Sequence, residues 1–111
     1  LSGPLSLWKR FNIVFQVAQT INDIHSIDFV HSDFAPKEVL VGVDSLMQGE
    51  PEVKIIDFGK MFNRDWRPDE LENAMSRDRD GVGGLLTRVV IRPLASYKGS
   101  KYRKVVQLNQ R

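Results

Sequence analysis

Cysteine is absent from the chain, so neither disulfides nor thiolate metal sites are open to it. That is compatible with a reducing compartment, and an intracellular, cytoplasmic setting is the expectation. No apolar run approaches the roughly 18 residues needed to cross a bilayer, and the start carries no signal-peptide pattern, so no membrane partner is expected. Internal repeats and low-complexity tracts are lacking too. The first Met is Met47 and the chain opens on Leu1, which reads as a piece of a longer protein. Charge of one sign is not in strong excess: 16 basic residues face 14 acidic ones, for a net +2. With 41% hydrophobic and 27% charged residues over 111 positions, the composition is that of a globular domain with one core.

The stretch from Phe29 to Gly59 organises the rest. Val39-Leu40-Val41 and Val53-Lys54-Ile55-Ile56 are short and largely β-branched, which predicts strands. The link from Gly42 to Glu52 is turn-rich, with Gly42, Gly49 and Pro51, and a link so short favours an antiparallel hairpin. A hairpin brings the residues before its first strand beside those after its second. Asp33 and Asp57 are therefore expected at one open end.

Upstream, Leu5 to about Ile27 reads as one amphipathic helix. Leu7, Phe11, Val14, Ala18, Ile21 and His25 recur at steps of three and four, with Val17 and Ile24 widening the stripe. Phe15 and Phe29 are read as core residues, and His25 as a packing or capping histidine. Downstream, acids follow Pro68, which suits a short helix over Asp69–Met75. A second helix is expected to start near Asp78, run through Val90 and stop at Pro93. The glycines at 81, 83 and 84 lack the Lys-Ser/Thr of a phosphate loop, and no strand precedes them. The tail holds Lys98, Lys101, Arg103, Lys104 and Arg111; it reads as a solvated basic face rather than an RNA-binding surface, so no nucleic-acid partner is expected.

The order of these pieces resembles the carboxy-terminal, catalytic lobe of the protein-kinase-like superfamily, nearest its atypical or fungal-type members. His31-Ser32-Asp33-Phe34-Ala35-Pro36 is similar to the catalytic loop and Asp57-Phe58-Gly59 to the metal-binding motif. Asp78, with Gly83, Leu85 and Leu86 after it, is similar to the start of the lobe's central helix; Asp80 is the alternative register. The resemblance implies an α+β fold, mainly helical with a catalytic-loop β-hairpin, and residues 1–111 as a partial kinase-like domain without the amino-terminal lobe or the later helices. The central helix would then leave an apolar face uncovered, and aggregation is expected.

The implied activity is transfer of the ATP γ-phosphoryl to a hydroxyl acceptor, protein or small molecule, with Mg²⁺. Asp33 is the implied catalytic residue, Asp57 and Glu38 the metal ligands, and Leu40, Ile56 and Asp57 the ATP contacts. His31, Phe58, Gly59 and Asp78 are implied as structural support, with the His31 ring on Phe58 and Asp78 bonded to loop amides. The sequence departs from the family in three places. Glu38 stands where the family's second metal ligand is Asn, Ser32 where many kinases have Arg, and Ala35 where serine/threonine kinases have Lys. These departures keep a catalytically weakened pseudokinase scaffold as the alternative, and the fragment alone is expected to be inactive or nearly so.

Overall fold

The computed structural model describes residues 6–42, 45, 49–91 and 102–107. Helix α1 spans Leu7–Ser26. Ser6 caps it, its hydroxyl accepting from the Lys9 amide at 3.2 Å. It ends where the Ile27 and Asp28 amides turn back to the carbonyls of Ile24 and His25, with Asp28 in the left-handed region at φ 62°. Its buried stripe is Ile13, Val14, Val17 and Ile21. The stripe is thus rotated toward Ile13. Leu7, Phe11 and Phe15 are 52%, 49% and 65% exposed, which corrects the reading of Phe15 as core.

Among the described residues, five short strands follow from the β-branched runs and their partners. Strand β1 (Phe29–Val30) pairs antiparallel with β4 (Phe62–Asn63), Phe29 opposite Asn63. Strands β2 (Val39–Gly42) and β3 (Val53–Ile55) form the expected antiparallel hairpin, with Val39 opposite Ile55. Ser45 closes the link between them: its hydroxyl donates to the Gly42 carbonyl and accepts from the Glu52 amide, at 2.6 and 2.7 Å. Strand β5 (Tyr102–Lys104) adds to the free edge of β2, giving the order β3-β2-β5. Part of the tail read as a solvated basic run is therefore a sheet edge. Lys98, Lys101 and Arg111 lie outside the described residues.

The two helices expected between residues 69 and 90 are one. A 3-10 turn at Pro68–Glu70 leads into α2 (Leu71–Leu86), and a π turn continues it over Thr87–Ile91. Pro93 lies outside the described residues. Arg10 donates to the Val90 carbonyl at 2.8 Å, satisfying an acceptor at that helix end.

Two apolar clusters hold these pieces. The larger joins the α1 stripe to Phe34, Val39, Val41, Leu85, Val89 and Val105. The smaller joins Val30, Phe62, Leu71, Ala74 and Met75. Leu85 and Val89 are fully buried, so the central helix is covered where the sequence suggested an open face. Gly81 lies against the loop after β1 so closely that a Cβ there would sit 2.5 Å from the Phe34 carbonyl oxygen. The fold is α+β, and no helix among the described residues is long and apolar enough to cross a membrane.

Candidate active site

Asp78 anchors the loop after β1. It is fully buried on α2, and its carboxylate accepts from the His31 and Ser32 amides at 2.9 and 3.0 Å. His25 on α1 also reaches it, Nε2 to Oδ2 at 2.9 Å. One carboxylate thus satisfies two loop amides and links both helices. Asp80 is exposed, so the register with Asp78 inward holds. Ser32 sits at φ 72°, a left-handed conformation that costs a non-glycine residue on the order of 1 kcal/mol. The Asp78 bond and a 2.7 Å bond from the Ser32 hydroxyl to the Lys60 carbonyl hold it there.

His31 is fully buried, and its two ring nitrogens face different partners. Nε2 lies 2.9 Å from the Ile56 carbonyl, and Nδ1 lies 3.3 Å from the Asp33 amide. A carbonyl can only accept and an amide N–H can only donate. The pair therefore fixes the neutral tautomer with the proton on Nε2. The ring packs on Phe58 at 4.7 Å and edge-on to Phe34 at 5.7 Å between centroids. His31 thereby ties the loop after β1 to the end of β3.

Beyond it, Pro36 starts a 3-10 turn over Pro36–Glu38 that carries Glu38 inward. The Glu38 carbonyl accepts from the Ile56 amide at 2.8 Å, which extends the hairpin pairing toward Asp57. Asp57 itself has φ 68°, a second strained non-glycine position at the same end of the hairpin. Asp33, Glu38 and Asp57 converge: one carboxylate oxygen from each lies within 4.8 Å of the others. Asp33 and Asp57 are exposed, whereas Glu38 is 2% exposed and its Oε1 has no hydrogen-bond partner. Burial pushes the Glu38 carboxyl above its ordinary value, Lys37 opposes the shift, and the neighbouring Asp57 and Asp33 add to it.

That arrangement fits a hard divalent cation. Three oxygen donors lie within 4.8 Å of one another, and a buried carboxylate oxygen lacks any other partner among the described residues. Of the remaining sequence candidates, Leu40 and Ile56 are half-buried on the hairpin and Gly59 is exposed. Leu40 lies opposite Lys54 and Lys104 in the sheet.

The sequence pattern missed the cations around Asp33. Lys60 Nζ lies 3.8 Å from Asp33 Oδ2, at the loop end that Ala35 leaves without a lysine. A cavity of about 450 Å³ opens there, lined by Ser32, Asp33, Gly59 and Lys60 and, across from them, Phe62, Arg67 and Arg77. Arg67 stacks over the Phe62 ring at 5.1 Å. A signal for Arg77 was present: once Asp78 points inward on α2, its neighbour is turned about 100° away, toward the loop's flank.

Comparison with known proteins agrees with the geometry. The profile of the lipopolysaccharide kinase (Kdo/WaaP) family matches residues 7–80, two thirds of the chain. The chain is 36% identical over 73 residues to the mitogen-activated protein kinase MKC1 of Candida albicans, covering 66% of this chain and 13% of that protein. It is 38% identical over 56 residues to the mitosis inhibitor protein kinase mik1 of Schizosaccharomyces pombe, covering 50% of this chain and 8% of that one. The chain thus spans a small part of both relatives, and no solved structure matches it significantly. A buried aspartate on two loop amides, a histidine on the Phe of Asp57-Phe58-Gly59 and a family profile over the same residues converge: the chain belongs to the lipopolysaccharide kinase (Kdo/WaaP) family, within the protein-kinase-like superfamily.

Proposed function

We propose that residues 1–111 are the catalytic-loop part of a kinase-like domain and that the full protein transfers the γ-phosphoryl of ATP to a hydroxyl acceptor. The observation that carries this reading is the meeting of Asp33, Glu38 and Asp57 at one point, next to an open cavity. Asp33, exposed at the mouth, orients the acceptor hydroxyl and takes its proton as transfer proceeds. Asp57 and Glu38 would hold Mg²⁺, with Glu38 in the role that Asn fills elsewhere in the superfamily. Such a cation would supply positive charge against the phosphate charge that builds during transfer. Lys60 lies beside Asp33 as the cation that Ala35 does not supply. Leu40 and Ile56 offer apolar surface to the adenine. His31, Phe58 and Asp78 keep these groups in register, and such positioning is the larger part of catalysis in phosphoryl transfer.

A second reading, a pseudokinase scaffold, draws on Glu38. Burial and two neighbouring carboxylates raise its carboxyl above the ordinary value, so holding it ionised as a ligand costs more than it does for an exposed glutamate. The two readings separate by calorimetric titration of ADP into the protein with and without Mg²⁺. Phosphotransfer predicts Mg²⁺-dependent binding that is lost in Asp57→Ala. Binding that ignores both Mg²⁺ and the substitution would sink it.

A further inference from the structure

Beyond Lys60, the cavity beside Asp33 bears two cations, Arg67 and Arg77, that the phosphotransfer reading does not require. Lys60, Arg67 and Arg77 face a single carboxylate there. Lys60 is 74% exposed and 3.8 Å from Asp33, and the ion pair of Arg67 with Glu70 is an exposed one at 3.6 Å; surface pairs of this kind are worth little. The stacking of Arg67 on Phe62 leaves its guanidinium N–H groups at the edge of the plane. Arg77 has no hydrogen-bond or ion-pair partner among the described residues. The cations are therefore available to a ligand.

The chain's own segment is a poor source of the anion they would take. Between Asp57 and Asp78 the only hydroxyl is that of Ser76, which is fixed within α2. At about 450 Å³ the cavity falls in the range of small-molecule clefts, about 300–1,000 Å³. Guanidinium groups favour phosphate because their paired N–H groups match its oxygens.

We propose that the acceptor is a small hydroxy compound that already carries a phosphate group. Lys60, Arg67 and Arg77 seat the phosphate, and the free hydroxyl is thereby presented to Asp33. The phosphate sets which molecule enters; the new bond forms at the hydroxyl oxygen, which gives its proton to Asp33 while the γ-phosphoryl leaves ADP behind. This inference rests on the phosphotransfer reading, whose metal site lies at the neighbouring carboxylates.

The test is a metal-free NMR titration of the isotopically labelled chain, with EDTA present and at low salt. Glycerol 3-phosphate, which has both groups, should shift the amides of Ser32, Gly59, Lys60 and Arg77 saturably. Glycerol should not, and inorganic phosphate should bind more weakly because it lacks the hydroxyl. Arg67→Ala and Arg77→Ala should each weaken binding about tenfold or more, the usual loss for a charge-assisted contact. Arg88→Ala, at an exposed position beyond α2, should not. No saturable shift, or equal binding by the Arg77 and Arg88 variants, would overturn the proposal. Equal affinity for inorganic phosphate and glycerol 3-phosphate would overturn the acceptor assignment. Mn²⁺ added to separate EDTA-free samples tells the two readings apart. Broadening around Asp57 without phosphate binding sinks this inference alone; phosphate binding without broadening sinks the phosphotransfer reading, and leaves the cavity a phosphate site with no acceptor role.

Discussion

Glu38 is the residue whose chemistry the fold changes most. Its folded carboxyl sits above the ordinary value near 4.5, because burial and two neighbouring carboxylates disfavour its charge. The folded state therefore binds the proton more tightly than the unfolded chain does. Glu38's contribution to stability is full below the unfolded value and is lost as pH rises through the raised folded value. In EDTA at pH 7.5, Glu38→Gln should melt at a higher temperature than the wild type, and the gap should close below pH 4.5. Thermal scans across that range check it, and a Gln variant less stable at pH 7.5 would contradict it. Asp78 shows the opposite case, a buried carboxylate with every partner in place. Asp78→Ala strands two loop amides, each costing about 1–3 kcal/mol. Urea unfolding should show a loss of about 3 kcal/mol; a loss below about 1 would mean that the loop is held by other contacts. Both residues were legible in the sequence because the loop, the strands and Asp57-Phe58-Gly59 follow in a recognisable order. The cations were not legible as a set: Arg77 follows from its place beside Asp78, but Lys60 and Arg67 come from separate positions that only the fold brings to the same cavity.

At the scale of elements, α2 shows how packing overrides local preference. Glycines at 81, 83 and 84 interrupt a helix that short-range propensity would break, yet it runs unbroken from Leu71 to Leu86. Gly81 is needed where α2 presses on the Phe34 backbone; Gly83 faces open space. Replacing a helical glycine by alanine gains up to about 1 kcal/mol, whereas overpacking costs about 1–3. Gly81→Ala should therefore destabilise by about 1–2 kcal/mol and Gly83→Ala should stabilise, as read by denaturant midpoints. Equal effects at the two positions would contradict the close approach. Helix α1 gives a further check on what the sequence pattern misread. Phe15 reads as core because it is large and apolar, but the buried stripe runs through Ile13, Val14, Val17 and Ile21 and leaves Phe15 65% exposed. Phe15→Gln should change stability by less than about 0.5 kcal/mol, against the 3–5 expected for loss of a core phenylalanine. The hairpin was legible because strand period and turn residues agree. The pairing of β5 with β2 was not, because a basic tripeptide carries no period that separates an edge strand from a solvated run.

For the whole molecule, two apolar clusters flank a loop that neither could hold alone. Asp78 and His31 join them, and the strained backbone at Ser32 and Asp57 lies at that join. The arrangement leaves three carboxylates facing one another with too few partners. A bound divalent cation would relieve that repulsion, so it should stabilise the folded chain by mass action. The most direct test is Mn²⁺ titration followed by amide line broadening, with Mg²⁺ as competitor. Broadening centred on Asp33, Glu38 and Asp57, reversed by Mg²⁺ and abolished in Asp57→Asn, is the result predicted here. Diffuse broadening over the exposed acids of α2, unchanged in that variant, would contradict the metal site and with it the phosphotransfer account.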